Sequence, residues 1–310
     1  MPKVDVVIVN WNTGSFLSDC VKSLIDNGQD LTGKIIVVDN DSTDDSLANI
    51  ENLKTITVIR NKKNLGFARG CNIGANIADN DYVLFLNPDA RVYKDTLRSC
   101  LEFFENEQNK NIGILGVKLE DTNGNIGSRC SRFPSTLNIM SHAIGLDSMI
   151  PSLGSSMKEF DHLTTKVVDQ IIGAFFLVRR KLFDELNGFD ERFFMYMDEV
   201  DFSYRAKLMG YQSIYYAEAT AFHHGEISTS KVQSLRLFYS LRSRLQYSWK
   251  HFGVLNITMI IFLTLIIEPI SRFIQSVFKL SLGTFLTTFE AYAMLFIWIF
   301  QTKFLHKRRF

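Results

Sequence analysis

An open α/β sheet, mostly parallel and with helices on both faces, is the fold this sequence predicts for its first part, with apolar helices following. Three observations predict it. Short β-branched apolar runs recur at Val4–Val9, Lys34–Val38, Thr55–Arg60 and Tyr82–Leu86. Helix-spaced segments alternate with them, as in βαβ units. From Gly253 onward the chain turns almost wholly apolar.

VDVVIV at Val4–Val9 reads as a strand covered on both faces. Phe16, Leu17, Cys20, Val21, Leu24 and Ile25 then fall three and four residues apart and form one helical face. KIIVV at Lys34–Val38 is strand-like, Ser46–Leu53 reads as helix, and Thr55–Arg60 as strand. A helix over Ala68–Ala78 leads into YVLFL at Tyr82–Leu86. Asn123-Gly124 signals a hairpin turn, and 127–165 reads as a long variable segment rich in Ser, Gly and Pro. Val167–Val178 regains strand character, interrupted by Gly173. A helix is predicted from Asp198 through Leu208, with Gly210 as its stop.

The chain has 310 residues, enough for one large core or for a domain of about 200 residues with an appendage. Lys plus Arg number 34 and Asp plus Glu 33, a balance that argues against a nucleic-acid partner. Charge is uneven, however: from Lys250 on, seven Lys/Arg face only Glu268 and Glu290. Gly253–Ile267 is apolar for 15 residues before Glu268-Pro269, and Leu282–Phe300 is apolar for 19 but carries Glu290. A span needs about 20 apolar residues, so two spans, a re-entrant hairpin and interfacial helices are all compatible. The terminal FLHKRRF suits a cytoplasmic end beside anionic lipid. The division expected is 1–230 for a catalytic domain and 231–310 for a membrane-associating region. Cys20, Cys71, Cys100 and Cys130 form no CxxC pair and read as buried free thiols. The opening MPKVDVVIVNWN lacks the apolar core and cleavage site of a secretory signal, so the first domain is expected in a reducing cytoplasm.

Ligands of open α/β sheets bind at the carboxyl ends of the strands. Here those ends carry Asn10-Trp11-Asn12, Asp39-Asn40-Asp41-Ser42 and Asn87-Pro88-Asp89. Ser42 to Asp45 also suits a helix start, whereas Asp39 precedes any cap and is placed to accept hydrogen bonds from a nucleobase or ribose. Asn87-Pro88-Asp89 is equally an ordinary turn. NLGFARGCNIG places Gly66, Gly70 and Gly74 four apart. That is not the GxGxxG of a dinucleotide site; Gly70 and Gly74 share a helix face for close packing, and Arg69 and Asn72 lie on other faces within reach of phosphate or ribose.

VDVVIVNWN, VVDNDSTDDS, NLGFARGCNIG, FLNPDA, GAFFLVRR, GFDERFFMYMDEVDFSYR and HHGEIS stand in the order seen in inverting family 2 glycosyltransferases. Over residues 4–250 the chain resembles most the bacterial rhamnosyltransferase branch. The resemblance implies the Rossmann-like GT-A fold, a nucleotide-diphosphate sugar donor, and Mg²⁺ or Mn²⁺. Carried residue by residue, Asp39 resembles the acid that reads the nucleobase. Asp89 matches the last residue of the DxD metal motif, with Asn87 where the first Asp would stand. The metal-site His aligns with His223, and His224 is its neighbour and competitor.

In MDEVD, Asp198 three residues ahead of Asp201 is placed to cap the helix in a box-like arrangement. Glu199, at the position of the family's general base, is left to take an acceptor proton, with Asp198 orienting it. Apolar neighbours would raise its pKa toward a useful value. Donor contacts are thus expected from Asn10, Asn12, Asp39, Asn40, Arg69, Asn72, Asn87 and Asp89. Arg242 and Arg244 lie either near a diphosphate or in an amphipathic interfacial helix. The expected reaction moves L-rhamnose from dTDP-rhamnose to a lipid-linked glycan at the cytoplasmic face of the bacterial cell membrane, for envelope or O-antigen polysaccharide. Another hexosyltransferase, a nucleotidyltransferase and a non-catalytic nucleotide-sugar-binding membrane protein are the alternatives.

Overall fold

The computed structural model describes every residue except 128–129, 226–232, 279 and 303–310. FLHKRRF and the EIS of HHGEIS lie outside the described residues. The chain divides into two compact units. The first is Met1–Phe133, Phe160–Phe194 and Asp198–Ser228; the second is Pro134–Glu159, Met195–Met197 and Thr229–Phe310.

The first unit is built on a nine-stranded mixed sheet. Its strands are β1 (Val4–Asn10), β2 (Thr32–Asp39), β3 (Ile56–Arg60), β4 (Tyr82–Leu86), β5 (Ala90–Val92), β6 (Ile112–Glu120), β8 (Lys166–Val168), β10 (Phe175–Arg179) and β11 (Gln212–His223). β7 (Cys130–Ser131) and β9 (Gln170–Ile171) form a separate two-stranded ladder. The order is β3-β2-β1-β4-β10-β6-β11-β5, with β8 on β11. β3, β2, β1 and β4 are parallel; β10 enters antiparallel between β4 and β6. β1 and β4 are buried along their whole length, as strands covered on both faces must be. This is the GT-A arrangement expected from the motifs.

Helices α1 (Ser15–Gly28) and α2 (Phe67–Ala75) follow their strands as the spacing predicts, and α3 (Thr96–Glu105), which was not expected, follows β5. The glycine face of α2 packs as expected: a Cβ on Gly74 would meet a Val7 methyl at 2.4 Å, and on Gly70 a Val9 methyl at 2.8 Å. All four cysteines are buried and none is in a disulfide. The expected helix over Ser46–Leu53 is only a 3₁₀ turn, Asp45–Leu47, followed by turns. Its bonds run from i to i−3, as in Ala48 N–H to Asp45 O and Ile50 N–H to Leu47 O. Asp44 starts it, its side chain accepting from Ser46 N–H. Val167–Val178 is three short strands rather than one broken one.

The second unit packs α4 (Thr136–Ala143) and α7 (Gln233–His251) with two apolar helices around Ile139, Phe238, Leu241, Leu245, Ile260 and Leu295. α5 (Arg180–Glu185) and α6 (Asp198–Leu208) belong to the first unit. The first apolar helix continues past the Glu268-Pro269 that ends the apolar run, from Val254 to Phe278. A π-helical turn, Leu263–Ile267, precedes Pro269 and opens the ladder where the proline ring would strike a carbonyl. Its partner is Leu282–Thr302. Both are long and apolar enough, by length and composition, to cross a membrane.

Candidate active site

At the carboxyl edge of the parallel strands β1 ends on Asn10 and β2 on Asp39, paired in register. Asn10 Nδ2 reaches Asp39 Oδ1 at 2.7 Å and Ser46 Oγ at 2.8 Å. Ser42 donates to both Asp39 oxygens, Oγ to Oδ1 at 2.6 Å and N–H to Oδ2 at 3.1 Å. Asn10 and Asp39 are buried. Asn12, in left-handed backbone at φ 53°, accepts Thr43 N–H on its side-chain Oδ1 at 2.7 Å. The first two polar loops thus lock one another, and Asp39 Oδ2 retains capacity for a further donor.

Asn40 is also structural in its contacts. Its Nδ2 donates to Gly66 O at 3.1 Å, and its Oδ1 accepts from Asn61. Gly66 must be glycine twice over: φ is +85°, and a Cβ would meet Phe194 O at 2.4 Å. The next residue, Phe67, donates its N–H to Phe194 O at 2.8 Å. In this way NLGFARG at the start of α2 fixes the strand of chain that carries FFMYMDEVDF. Asn72 fixes the segment before it, its amide donating to Phe189 O and Glu191 while its oxygen accepts Phe189 N–H. Those bonds tie Asn72 to Phe189 and Glu191. Arg69 pairs with the same Glu191 at 3.5 Å.

The three acids at α6 separate into distinct environments. Asp201, fully buried, binds Arg205 Nε at 2.7 Å instead of closing a box with Asp198. Arg205 in turn donates to Leu186 O and Gly188 O. Asp198 is buried, bonded to Glu199, and its Oδ2 has no partner. Burial, then the adjacent Glu199 charge, pushes the Asp198 carboxyl well above the usual carboxylate range. Burial also raises Glu199, but hydrogen bonds from Asp198 and from the Gly173 backbone N–H favour its ionised form. Both carboxyls are therefore raised, and the two titrate as one pair. Cys71 on α2 lies against the pair: burial, then the Asp198 and Glu199 charges, pushes up its thiol.

Gly173 bonds Glu199, and its neighbour Ala174 accepts Asn87 N–H at 3.0 Å. Two consecutive residues, whose Cα atoms are about 3.8 Å apart, therefore tie Glu199 to the Asn87-Pro88-Asp89 loop. Across that loop, β11 runs antiparallel to β5 and sets His223 opposite Ala90. His223 Nε2 stands 3.4 Å from Asp89 Oδ1 and 3.4 Å from Asn87 Nδ2. Its Nδ1 is buried without a partner. Burial would raise Asp89, but the hydrogen bond and charge of His223, with Gly225 N–H, hold its carboxyl below the usual range. His224 instead lays its ring on Phe16, centroids 5.0 Å apart. Of the two histidines, His223 is the one that faces Asp89.

Asp89, His223, Asn87 and Glu199 thus share one sheet edge, with Asp39 and Asn10 at the neighbouring strand ends. Arg242 and Arg244 belong to the second unit. Arg244 is buried on Glu268 and donates to Thr264, and Arg272 completes the pair at 2.7 Å from Glu268. Arg242 lies over the Tyr239 and Trp298 rings. The role of Gly173-Ala174 carried no sequence signal beyond the break in a strand pattern.

The family model for glycosyl transferase family 2 matches residues 5–187. The N-acetylglucosaminyl-diphospho-decaprenol L-rhamnosyltransferase of Mycobacterium tuberculosis H37Rv is 26% identical over 240 residues, 73% of this chain and 77% of that protein. Rhamnosyltransferase WbbL of Escherichia coli K12 is 30% identical over 172 residues, 55% of this chain and 62% of its own. Among solved structures, the mannosyltransferase PcManGT of Pyrobaculum calidifontis, in complex with GDP-Man and Mn²⁺, superimposes with a TM-score of 0.55 at 15% identity, covering 98% of this chain and 85% of that one. TarS 1-349 of S. aureus with UDP-GlcNAc gives 0.52 at 16%, covering 94% and 92%. The chain belongs to glycosyl transferase family 2 and is a glycosyltransferase.

Proposed function

We propose that this glycosyltransferase moves a hexose, L-rhamnose from dTDP-rhamnose first, to a lipid-linked glycan at the cytoplasmic face of a bacterial cell membrane, with inversion at the anomeric carbon. The observation that carries the reading is the Gly173-Ala174 tie, which supports placing the Glu199 carboxyl beside the Asn87–Asp89 loop. Glu199 takes the proton of the acceptor hydroxyl as its oxygen attacks the anomeric carbon; the bond to the leaving diphosphate breaks on the opposite side. Asp198, protonated, orients Glu199 through their hydrogen bond. Asp39 Oδ2 accepts from the nucleobase, and Asn12 and Asn87 flank the donor.

Asp89 and His223 would hold Mg²⁺ or Mn²⁺. Their facing atoms, 3.4 Å apart, converge on one point, and the unpartnered His223 Nδ1 leaves the ring committed only on that side. Among the described residues no group of three acids, histidines or cysteines is assembled. Such a site suits a hard cation that takes one or two protein ligands and fills the rest from phosphate and water. When bound, the ion supplies positive charge to the departing diphosphate.

The rhamnosyltransferase relatives support rhamnose, and the diphospho-decaprenol in one relative's name supports a lipid acceptor. Membrane attachment is supported by an exposed stripe of Leu255, Met259, Phe262, Ile266, Ile270 and Ile274 along one helix, whose Glu268 turns inward onto Arg244. The donor is tested by offering a panel of dTDP-, UDP- and GDP-sugars to membranes that carry both the enzyme and polyprenyl-diphosphate glycans. Rhamnose incorporated from dTDP-rhamnose alone is the expected result; incorporation from another donor only would refute the rhamnose assignment.

A further inference from the structure

Arg242 and Arg244 stand close together on α7, but the fold treats them differently. Arg244 pairs with Glu268, which Arg272 also grips. Arg242 is half-buried without such a partner. Its Nε is shut away from solvent with no hydrogen bond, and no carboxylate among the described residues pairs with it. The guanidinium lies instead over two rings of the same unit, 5.9 Å from the Tyr239 centroid and 5.5 Å from that of Trp298. Burial lowers its pKa, as for a cation short of solvation. Rings engage the flat face of a guanidinium and leave the N–H donors around its edge for an anion. Gln246, one turn on along the same helix face, likewise has Oε1 buried without a partner.

We propose that Arg242, stacked on these rings, binds the phosphate of a membrane phospholipid headgroup; the proposal rests on the membrane-attachment reading above. Position favours this ligand. Trp298 precedes Thr302, the last residue of its helix, by about 6 Å along the axis. Tryptophan and tyrosine gather at the ends of apolar membrane helices, where an apolar ring with one polar edge meets the headgroups. Tyr239, Trp249 and Trp298 all pack, partly buried, against the apolar cluster of the second unit. Arg242 therefore lies at headgroup depth, where a long basic side chain reaches phosphate oxygens. Ile297 and Phe300, exposed on either side of Trp298 in sequence, offer contacts to the acyl chains. Charge favours the same ligand. One guanidinium matches the single negative charge of a phosphodiester, whereas a diphosphate brings more, and Arg244 and Arg272 are both held by Glu268.

The test is calorimetric titration of the full chain, purified free of lipid in nonionic detergent, with short-chain phosphatidylglycerol, the matching diacylglycerol and farnesyl diphosphate. Phosphatidylglycerol should bind roughly tenfold more tightly than diacylglycerol, as one charge-assisted contact provides. Arg242→Met should abolish that preference, and Arg242→Lys, which keeps the charge but not the planar fork, should lose part of it. Thermal melts separate this from misfolding. Without lipid, Arg242→Met should melt no lower than wild type, because it removes a buried cation that has no counter-ion; with phosphatidylglycerol only wild type should gain. A preference unchanged in Arg242→Met would overturn the proposal, as would a wild type that does not tell phosphatidylglycerol from diacylglycerol. Farnesyl diphosphate bound more tightly than phosphatidylglycerol, and lost in Arg242→Met, would overturn it in favour of the lipid-linked acceptor. Flotation with neutral phosphatidylcholine vesicles reports attachment itself. Wild type and Arg242→Met should both float. If they float and the preference is absent, the phosphate site alone fails; if wild type does not float, the attachment reading fails and the proposal with it.

Discussion

Replacing Glu199 by Gln removes the proton-accepting oxygen and keeps the side chain's length and volume. Gln Oε1 can still accept from Gly173 N–H, and its amide can donate to Asp198 Oδ2, which has no partner in the native pair. The loss is therefore one of chemistry. A positioned general base contributes roughly 10²–10⁴ in rate, about 2.7–5.4 kcal/mol at 1.36 kcal/mol per tenfold. Transfer by Glu199→Gln should fall by that factor in a radiolabelled-sugar assay, with donor affinity in Mn²⁺ unchanged. Stability should move the other way. Both carboxyls lie above their ordinary values of 3.8 and 4.5, so the folded state binds the extra proton. The pair's contribution is full below those values and is lost as pH climbs through the raised folded ones. Glu199→Gln removes much of that loss and should melt at or above wild type at pH 7. Transfer within tenfold of wild type would refute the base assignment. Lost donor binding would show that Glu199 serves the donor.

His223→Ala should weaken UDP binding in Mn²⁺ at least roughly tenfold, in line with losses at tuned metal sites, and have little effect on binding measured in EDTA; titration in the two buffers checks this. Asp5→Ala should destabilise the first unit. Its buried carboxylate accepts from Lys34 N–H at 2.6 Å, Asp79 N–H at 2.7 Å and Asn80 N–H at 2.9 Å. Orphaning three backbone donors, at about 1–3 kcal/mol each and partly relieved by water, gives about 3–5 kcal/mol, or a fall of roughly 10 °C in Tm. Burial opposes but those bonds prevail in holding Asp5 below 3.8. Its contribution is present above that value and fades as pH falls through the lower folded one, so the deficit should shrink in acid melts.

The strands that carry the site were legible because β-branched runs declare themselves and their polar ends fall at one edge. Gly70 and Gly74 read correctly as packing residues, since four-residue spacing fixes a helix face. The tertiary uses of asparagine were not legible. Asn72 spans 117 residues to clasp Phe189, and no local pattern marks so distant a partner. Asn40 was expected as a donor contact, and its bracing of Gly66 was not foreseen, because an amide at a strand end suits either purpose. Arg244 was read without Glu268, which lies 24 residues on, just past the end of an apolar run. Segment Pro134–Glu159, silent as sequence, belongs to the helical unit, with Ile139 of α4 in its apolar core and no motif around it. The Met195–Met197 excursion, with two left-handed residues, has no glycine to announce it.

Attack of the acceptor oxygen in one step, driven by the Glu199 carboxylate, dictates the stereochemistry of what is made. Coupling constants from proton NMR of the purified glycolipid, set against those of the donor sugar, report it directly. The anomeric configuration should be opposite to the donor's; a product with the donor's configuration would require a covalent intermediate and contradict the single-displacement account.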